Sequence, residues 1–239
     1  MRPLVRFSLV LGLLVHAEVF GQVERSPDDD PAPDFSGTYV GARDFVRPTT
    51  YPLTAEGQRL LAAHDPYAGD PREFDCLEEP MPQLILWGHA VIQITHEEDA
   101  VLMKVERGAT IRTIHMGVGE PLGDQPSTAK GYSLGRWIGE VLSVDTTHLL
   151  GGVLSAVQGH PVSSEARFTE RYWRNPDESS LQMELVVHDS VNYTQPVTFE
   201  REWRLSPEEQ VQDYDCFSLE LDESGPVDID DLRRRLEQQ

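Results

Sequence analysis

The chain has 239 residues, of which 39% are hydrophobic, and its formal net charge is −21 at pH 7. This length suits one all-β domain of ordinary size. The acidic balance and the lack of a basic stripe interleaved with aromatic residues exclude nucleic acid as a partner.

The N-terminus has the pattern of a secretory signal peptide, predicted over residues 1–21. Arg2 and Arg6 precede a short apolar run, and small residues that suit cleavage follow at Ala17 or Gly21. The run is too short to span a bilayer, and no later stretch approaches about 18 apolar residues. We therefore expect a periplasmic or secreted protein without a transmembrane segment in its mature form.

A polar leader comes before the predicted domain. Residues 22–34 (QVERSPDDDPAPD) are acidic and rich in proline, which predicts disorder. We expect the folded domain over residues 35–217, with a first short strand possible at Phe35–Gly41. Thr54 is suited to cap a helix over residues 55–64.

Short runs of alternating polarity then follow one another, separated by turn-sized links. They predict strands at 90–95, 100–106, 110–116, the two halves of 131–147 on either side of Gly139, 166–173, 181–187 and 197–205. This spacing favours antiparallel neighbours. One apolar face per strand favours an up-and-down barrel of about eight strands, with a sandwich as the alternative.

The chain carries two cysteines, Cys76 and Cys216. In an oxidising compartment an isolated pair usually forms a disulfide, and a reactive thiol or a metal ligand is the alternative. After them comes an acidic tail, residues 218–239. Its last part, residues 228–239, is either a short amphipathic helix or a frayed end.

Five short motifs carry a family resemblance. They are DFSGTY (34–39), the DP…DP…C pattern that ends at Cys76, SLGRWIGEVLSVDT (133–146), TERYWR (169–174) and YDC (214–216). Over residues 35–216 the chain resembles a large family of uncharacterised secreted bacterial proteins. The resemblance implies a lipocalin-like (calycin) barrel and supports the two cysteines as part of its framework. The chain departs from the family pattern at Ile138, where an acidic residue is usual, and at residues 160–163.

Alternate residues of a barrel strand face the interior, and we assign the more apolar phase of each strand inward. This assignment predicts an aromatic wall for a ligand, formed by Tyr132, Phe168, Tyr172, Phe199 and Trp203. Such a wall suits a small apolar or amphipathic molecule.

The same phase predicts several polar side chains inside the barrel. They are Arg136, Glu170 and Arg201, with Gln93 and Glu140 as further candidates. Because a buried charge without a partner is costly, Glu170 is predicted to pair with Arg136 or Arg201. The pair would either anchor a ligand or fix the strand register of a filled barrel.

Histidines are predicted to gather at one mouth of the barrel. Strict alternation of strand direction places the loops 117–130 and 147–165 together. The histidines that this mouth would collect are His96, His148, His160 and His188, with His115 nearby. Histidine suits proton transfer near neutral pH. No HxH, HExxH or CxxC spacing occurs, so no metal or other cofactor is predicted.

Three hypotheses for function follow. The first is a secreted barrel that binds a small apolar or amphipathic molecule, with Arg136 or Arg201 holding an anionic or carbonyl group. The second is a cofactor-free isomerase, cyclase or lyase, with Glu170, His148 and His115 for proton transfer and Arg136 to stabilise an enolate or a carboxylate. The third is a structural, envelope-associated domain whose barrel is filled by side chains.

Overall fold

The computed structural model describes residues 33–42, 46–66, 78–86, 90–106, 110–117, 125–177 and 179–212. The predicted signal peptide, both cysteines and the acidic tail lie outside these residues. The signal peptide, the Cys76–Cys216 disulfide and the terminal helix therefore stay predictions.

Nine strands form a closed barrel, in the order β1-β11-β10-β9-β6-β5-β4-β3-β2. A separate pair, β7 with β8, forms a small second sheet. The strands are β1 Gly37–Gly41, β2 Val91–His96, β3 Ala100–Val105, β4 Thr110–Met116, β5 Tyr132–Ile138, β6 Val141–Thr147, β7 Gly152–Val153, β8 Pro161–Val162, β9 Arg167–Arg174, β10 Ser180–His188 and β11 Val197–Leu205. The prediction of an all-β barrel is confirmed.

Two helices accompany the described strands. Helix α1 is Ala55–Ala63, and the Thr54 side chain caps it by accepting a hydrogen bond from the Gly57 N–H at 3.1 Å, as predicted. Helix α2 is Gln83–Leu86, and all four of its residues are buried. Alternation of polarity gave no sign of α2, since QLIL is one short, mostly apolar turn. Neither described helix is long and apolar enough to cross a membrane.

One pair of neighbouring strands runs parallel. Strand β4 pairs in parallel with β5 through Ile114↔Ser133, His115↔Leu134 and Met116↔Gly135, whereas every other barrel pair is antiparallel. A closed ring of nine strands requires this, because strict alternation closes only with an even number. The prediction that strand direction always alternates is therefore wrong at this pair.

The parallel pair also separates the histidines. We call the end where β2 and β4 finish the upper end, and the end where β6 and β10 finish the lower end. His96 and His115 lie at the upper end. His148 follows β6 and His188 is the last residue of β10, and both strands finish at the lower end. His160 lies in the connection from β6 to β9, which begins and ends there. The predicted single mouth with five histidines does not form.

The inward phase was predicted correctly for β3, β9, β10 and β11. It was wrong for β5, where Ser133 is buried while Arg136 and Ile138 are exposed. The reason is that the barrel interior has little room for side chains beside β5. A Cβ at Gly135 would meet the Met116 sulfur and the Ile114 side chain, so at this point the interior has room for no side chain. Gln93 and Glu140, both predicted inside, are also exposed.

Candidate functional site

An ion pair lies at the centre of the barrel. Arg112 of β4 and Glu170 of β9 are 1% and 0% exposed. The guanidinium binds the carboxylate with two parallel hydrogen bonds, Nη1 to Oε2 and Nη2 to Oε1, each 2.7 Å long. This two-point geometry is the strongest that an arginine and a carboxylate form.

Three hydroxyl groups complete the pair. Ser133 Oγ accepts from Arg112 Nε at 3.2 Å and Nη2 at 3.0 Å. Tyr172 Oη donates to Glu170 Oε2 at 2.6 Å, and Thr146 Oγ1 donates to Oε1 at 3.1 Å. Because the Thr146 hydroxyl donates its hydrogen bond to Glu170, its oxygen accepts from Arg112 Nη2 and from the Ser133 hydroxyl. Both charged groups are thus hydrogen-bonded on every side.

The negative charge of Glu170 stabilises the charged form of Arg112. Burial alone would lower the pKa of Arg112, but the negative charge of Glu170, with Tyr172, raises it above its usual range. Burial and the neighbouring Glu170 charge raise the pKa of Tyr172 well above 10. The Glu170 carboxylate accepts four hydrogen bonds. This leaves it no lone pair directed at a substrate, so the geometry gives no support to Glu170 as a general acid or base.

Sequence reasoning missed Arg112 as the partner of Glu170, for which Arg136 and Arg201 had been predicted. The signal was present, because Arg112 alternates with Thr110 and Ile114, and all three are buried. Assigning an inward phase to β4 would have placed this guanidinium inside the barrel.

Arg136 lies on the outer surface instead. Its side chain is 60% exposed and pairs at 3.0 Å with Asp145, which Arg167 also binds at 2.6 Å. Tyr132 shares this outer phase of β5, and its ring stacks on His115 with centroids 4.7 Å apart. Arg136, Tyr132 and His115 were predicted as site residues, but none of them faces the interior.

Arg201 of β11 is inside the barrel, as predicted, and is 2% exposed. Its Nη1 donates to the backbone carbonyl of Leu86 in α2 at 2.9 Å. Its guanidinium carbon lies 5.0 Å from the centroid of the Trp203 ring, within the range of a cation–π contact. Burial lowers the pKa of Arg201 to about 10, so the group is charged at neutral pH.

The four remaining aromatic residues of the predicted wall face inward. Phe168, Tyr172, Phe199 and Trp203 are each at most 3% exposed, and the rings of Tyr172 and Trp203 stack with centroids 6.4 Å apart. Because these side chains are covered almost completely, the wall around them is close-packed. Their contact with a ligand stays a prediction.

His148 lies just beyond β6, with a backbone φ of 57°. Its Nδ1 is 2.9 Å from the Thr147 hydroxyl. His160 stacks on Tyr51 at 3.6 Å, and burial lowers its pKa. A role for His148 in proton transfer stays a prediction. It would not involve Glu170, whose carboxylate already accepts four hydrogen bonds.

A cleft of about 350 Å³ opens at the lower end, where His188, Asp189 and Tyr193 contribute to its lining. The Asp189 carboxylate accepts from the Ser163 N–H and hydroxyl, at 2.8 and 2.7 Å, and from the Asn192 amide at 2.8 Å. These bonds tie the loop before β9 to the turn after β10. Asp189 therefore has a structural role here.

No family model and no curated protein matches this chain, so the family resemblance stays a prediction. Among solved structures, the chain is similar to a point mutant of the REP1-NXSQ fatty acid transporter (12% identity, TM-score 0.34, covering 72% of this chain and 97% of that one). It is also similar to a point mutant of the fluorescent protein UnaG (14%, 0.35, 73% and 97%). A third is apo lipid binding protein 8 of Caenorhabditis elegans (8%, 0.33, 72% and 95%). We base the function proposed below on the residues of this chain alone.

Proposed function

We propose that the barrel binds a small apolar or amphipathic molecule that carries an anionic or carbonyl oxygen, and that Arg201 anchors this oxygen. The observation that carries the proposal is the position of Arg201. Its guanidinium lies against the Trp203 ring, and Arg201 is 2% exposed. The other inward-facing residues of β11, Val197, Phe199 and Trp203, are apolar. A charged anchor within apolar walls is the usual composition of a small-molecule site.

Helix α2 marks the place that the ligand would take. The Leu86 carbonyl accepts from Arg201, which is the contact that a ligand carbonyl or carboxylate would make. Leu84, Ile85 and Leu86 are all part of the apolar core. Because the surrounding wall is close-packed, the ligand must exchange with α2 and bury a comparable apolar area, which is worth about 1.5–3 kcal/mol for each aliphatic side chain.

A structural domain is the second candidate, and the close packing of the inner wall favours it. Phe168, Met183, Leu185 and Val187 are 0% exposed, so no water-sized space adjoins them. A barrel that never opens would leave α2 in place permanently. The hypothesis of an enzyme that relies on Glu170 is not carried further, because that carboxylate already accepts four hydrogen bonds.

Two fluorescent probes test the binding function. Anilinonaphthalene sulfonate is anionic and phenylnaphthylamine is neutral, and both are apolar aromatic molecules. We expect saturable binding of the anion, and Arg201→Met should weaken it by about tenfold, the loss of one charge-assisted hydrogen bond, while binding of the neutral probe changes little. Arg136→Met removes an arginine from the outer surface and is the matched control.

Equal weakening of both probes by Arg201→Met would remove Arg201 as the anchor. If neither probe binds saturably, the result favours the second candidate, a structural domain with a filled barrel. Native mass spectrometry of the protein from its own host gives an independent readout, because a retained anionic or carbonyl compound supports the binding function. We also propose that the protein acts in the periplasm or outside the cell, which N-terminal sequencing of the mature protein in those fractions tests.

A further inference from the structure

The buried side chain of Phe35 lies at the upper end of the barrel, away from Arg201. Phe35 precedes β1 and is 2% exposed. Its ring makes T-shaped contacts with the Trp137 ring, with centroids 5.1 Å apart, and with the His96 ring at 6.3 Å. The rings of His96 and Trp137 are themselves stacked at 6.0 Å. The rings of His96 and Trp137 form one aromatic wall, and the Phe35 ring lies against it at a steep angle to both. We call the place of the Phe35 ring beside this wall the aromatic slot.

The polar groups around this slot match the backbone of the same residue. The Phe35 N–H donates to His96 Nε2 at 3.1 Å. The Phe35 carbonyl accepts from the Tyr39 hydroxyl at 2.8 Å. Strands β1, β2 and β5 therefore provide one acceptor, one donor and a ring slot, which is the pattern needed to recognise an acylated aromatic amino acid.

Arg174 adds a positive charge on the carbonyl side. Its Nη2 donates to the Tyr39 hydroxyl at 3.0 Å, so the guanidinium lies one hydroxyl away from the Phe35 carbonyl. Its Nε is buried and has no hydrogen-bond partner among the residues that the structure describes. A buried donor without an acceptor costs about 1–3 kcal/mol. A backbone carbonyl has a single oxygen, whereas a carboxylate has a second that could meet this guanidinium.

Asp34 is an acidic group close to the aromatic slot. Its Oδ1 is 3.9 Å from His96 Nε2, and its side chain is 73% exposed. Because Asp34 directly precedes Phe35, it would move away together with that residue. Withdrawal of the segment would therefore empty the aromatic slot, remove the negative charge and leave Arg174 behind.

We propose that the upper end of the barrel is a binding site for an N-acylated aromatic amino acid with a free carboxylate, and that the chain's own Phe35 occupies it in the absence of this ligand. The ring would lie against Trp137 and His96. The amide N–H would donate to His96 Nε2, and the carboxylate would meet Tyr39 and Arg174. This site is separate from Arg201 and does not rest on the function proposed above.

Calorimetric titrations of the full-length Phe35→Ala variant test the proposal. N-Acetylphenylalanine carries the carboxylate, and N-acetylphenylalaninamide lacks only its charge. We expect the acid to bind about tenfold more tightly than the amide, since one charge-assisted hydrogen bond has roughly that value. Arg174→Met, made in the same background, should abolish this preference, while Arg136→Met should leave it unchanged. A short peptide ending in phenylalanine, run in parallel, shows whether the site takes the free amino acid or a peptide terminus.

Equal affinity for the acid, the amide and toluene would mean a bare cavity left by the missing ring and would overturn the proposal, as would absence of binding. If Phe35→Ala does not fold, the wild-type chain is titrated while its tryptophan indole resonances are followed by NMR. Binding must then compete with Phe35 and should be weaker, but Arg174→Met must still weaken it. Arg201→Met should not affect the acid in any background, so failure here is distinguishable from failure at the Arg201 site.

Discussion

Arg112 and Arg201 lie in the same barrel interior, at 1% and 2% exposure, yet their surroundings differ in kind. Arg112 is bound at two points by the Glu170 carboxylate and by three hydroxyl groups from three strands. Arg201 contacts the backbone carbonyl of α2 and the face of Trp203. Burial and charge alone therefore do not identify an anchor for a ligand.

The difference shows which arginine could exchange its partner. Replacing Glu170 as the partner of Arg112 would leave a buried carboxylate without its counter-charge, whereas replacing the Leu86 carbonyl leaves no buried carboxylate behind. An ion pair with all its hydrogen bonds made fixes strand register, whereas a guanidinium that donates to a main-chain carbonyl can donate to another oxygen in its place.

The largest effect is expected from breaking the Arg112 pair. Glu170→Leu should lower the free energy of unfolding by about 3–5 kcal/mol, because it leaves a buried guanidinium without its carboxylate. Urea denaturation measures this. The double variant Arg112→Met/Glu170→Leu should recover most of the loss, and a double variant as unstable as the single one would contradict the pairing as its cause.

A smaller loss is expected from Ser133→Ala. The variant removes the acceptor of two Arg112 N–H groups but keeps the ion pair, so about 1–3 kcal/mol should be lost. Ser190, which is exposed in the turn after β10, gives the matched control, since Ser190→Ala should stay within about 0.5 kcal/mol. The hydroxyl would be irrelevant to Arg112 if both alanine variants gave the same result.

Arg201→Met should change stability by about 1 kcal/mol or less, because removing a buried charge offsets the lost hydrogen bond to Leu86. Thermal and urea unfolding compared with Arg136→Met provide the measurement. A loss as large as that from Glu170→Leu would show that Arg201 is as fixed as Arg112, and the contrast between the two arginines would disappear.

The pH dependence of stability should be independent of both arginines. Burial lowers the pKa of His96 and of His160, so the folded state favours their neutral forms. Their contribution is fully present above the ordinary pKa of about 6.5 and is lost as the pH falls through the lower, folded value. We expect His96→Gln/His160→Gln to flatten the stability profile in this range, whereas Arg201→Met should keep the wild-type slope. An unchanged slope in the histidine double variant would assign the dependence to other groups.

Alternation of polarity predicted much of this fold, because most barrel strands have one apolar face. The bounds of Val197–Leu205 and the inward positions of Phe199, Arg201 and Trp203 could be predicted from sequence. Assigning the more apolar phase to the interior failed where the interior is polar or has no room for a side chain. In β5 the inner face carries a serine and a glycine, while isoleucine lies outside, so the more apolar phase was the wrong one.

The candidate site was less predictable than the fold. Glu170 and Arg201 were placed inside correctly, but the partner of Glu170 lies 58 residues away in sequence and depends on which strands are neighbours. Helix α2 has four residues and is too short to show the helical repeat of apolar positions. Only the closed topology shows that the histidines are divided between two ends.

The parallel junction of β4 and β5 has a consequence for local opening of the barrel. It is held by three register pairs, whereas β9 and β10 share eight. Fewer backbone hydrogen bonds must break to separate β4 from β5 than to separate β9 from β10. The pairing of β1 with β11 also has three register pairs, so fluctuations that open the wall should begin at these two junctions. Compared with β9 and β10, amide hydrogen exchange should be faster at the β4–β5 junction. Ser133 lies on it, so the same opening would bring water to Arg112 before any other part of the buried ion pair.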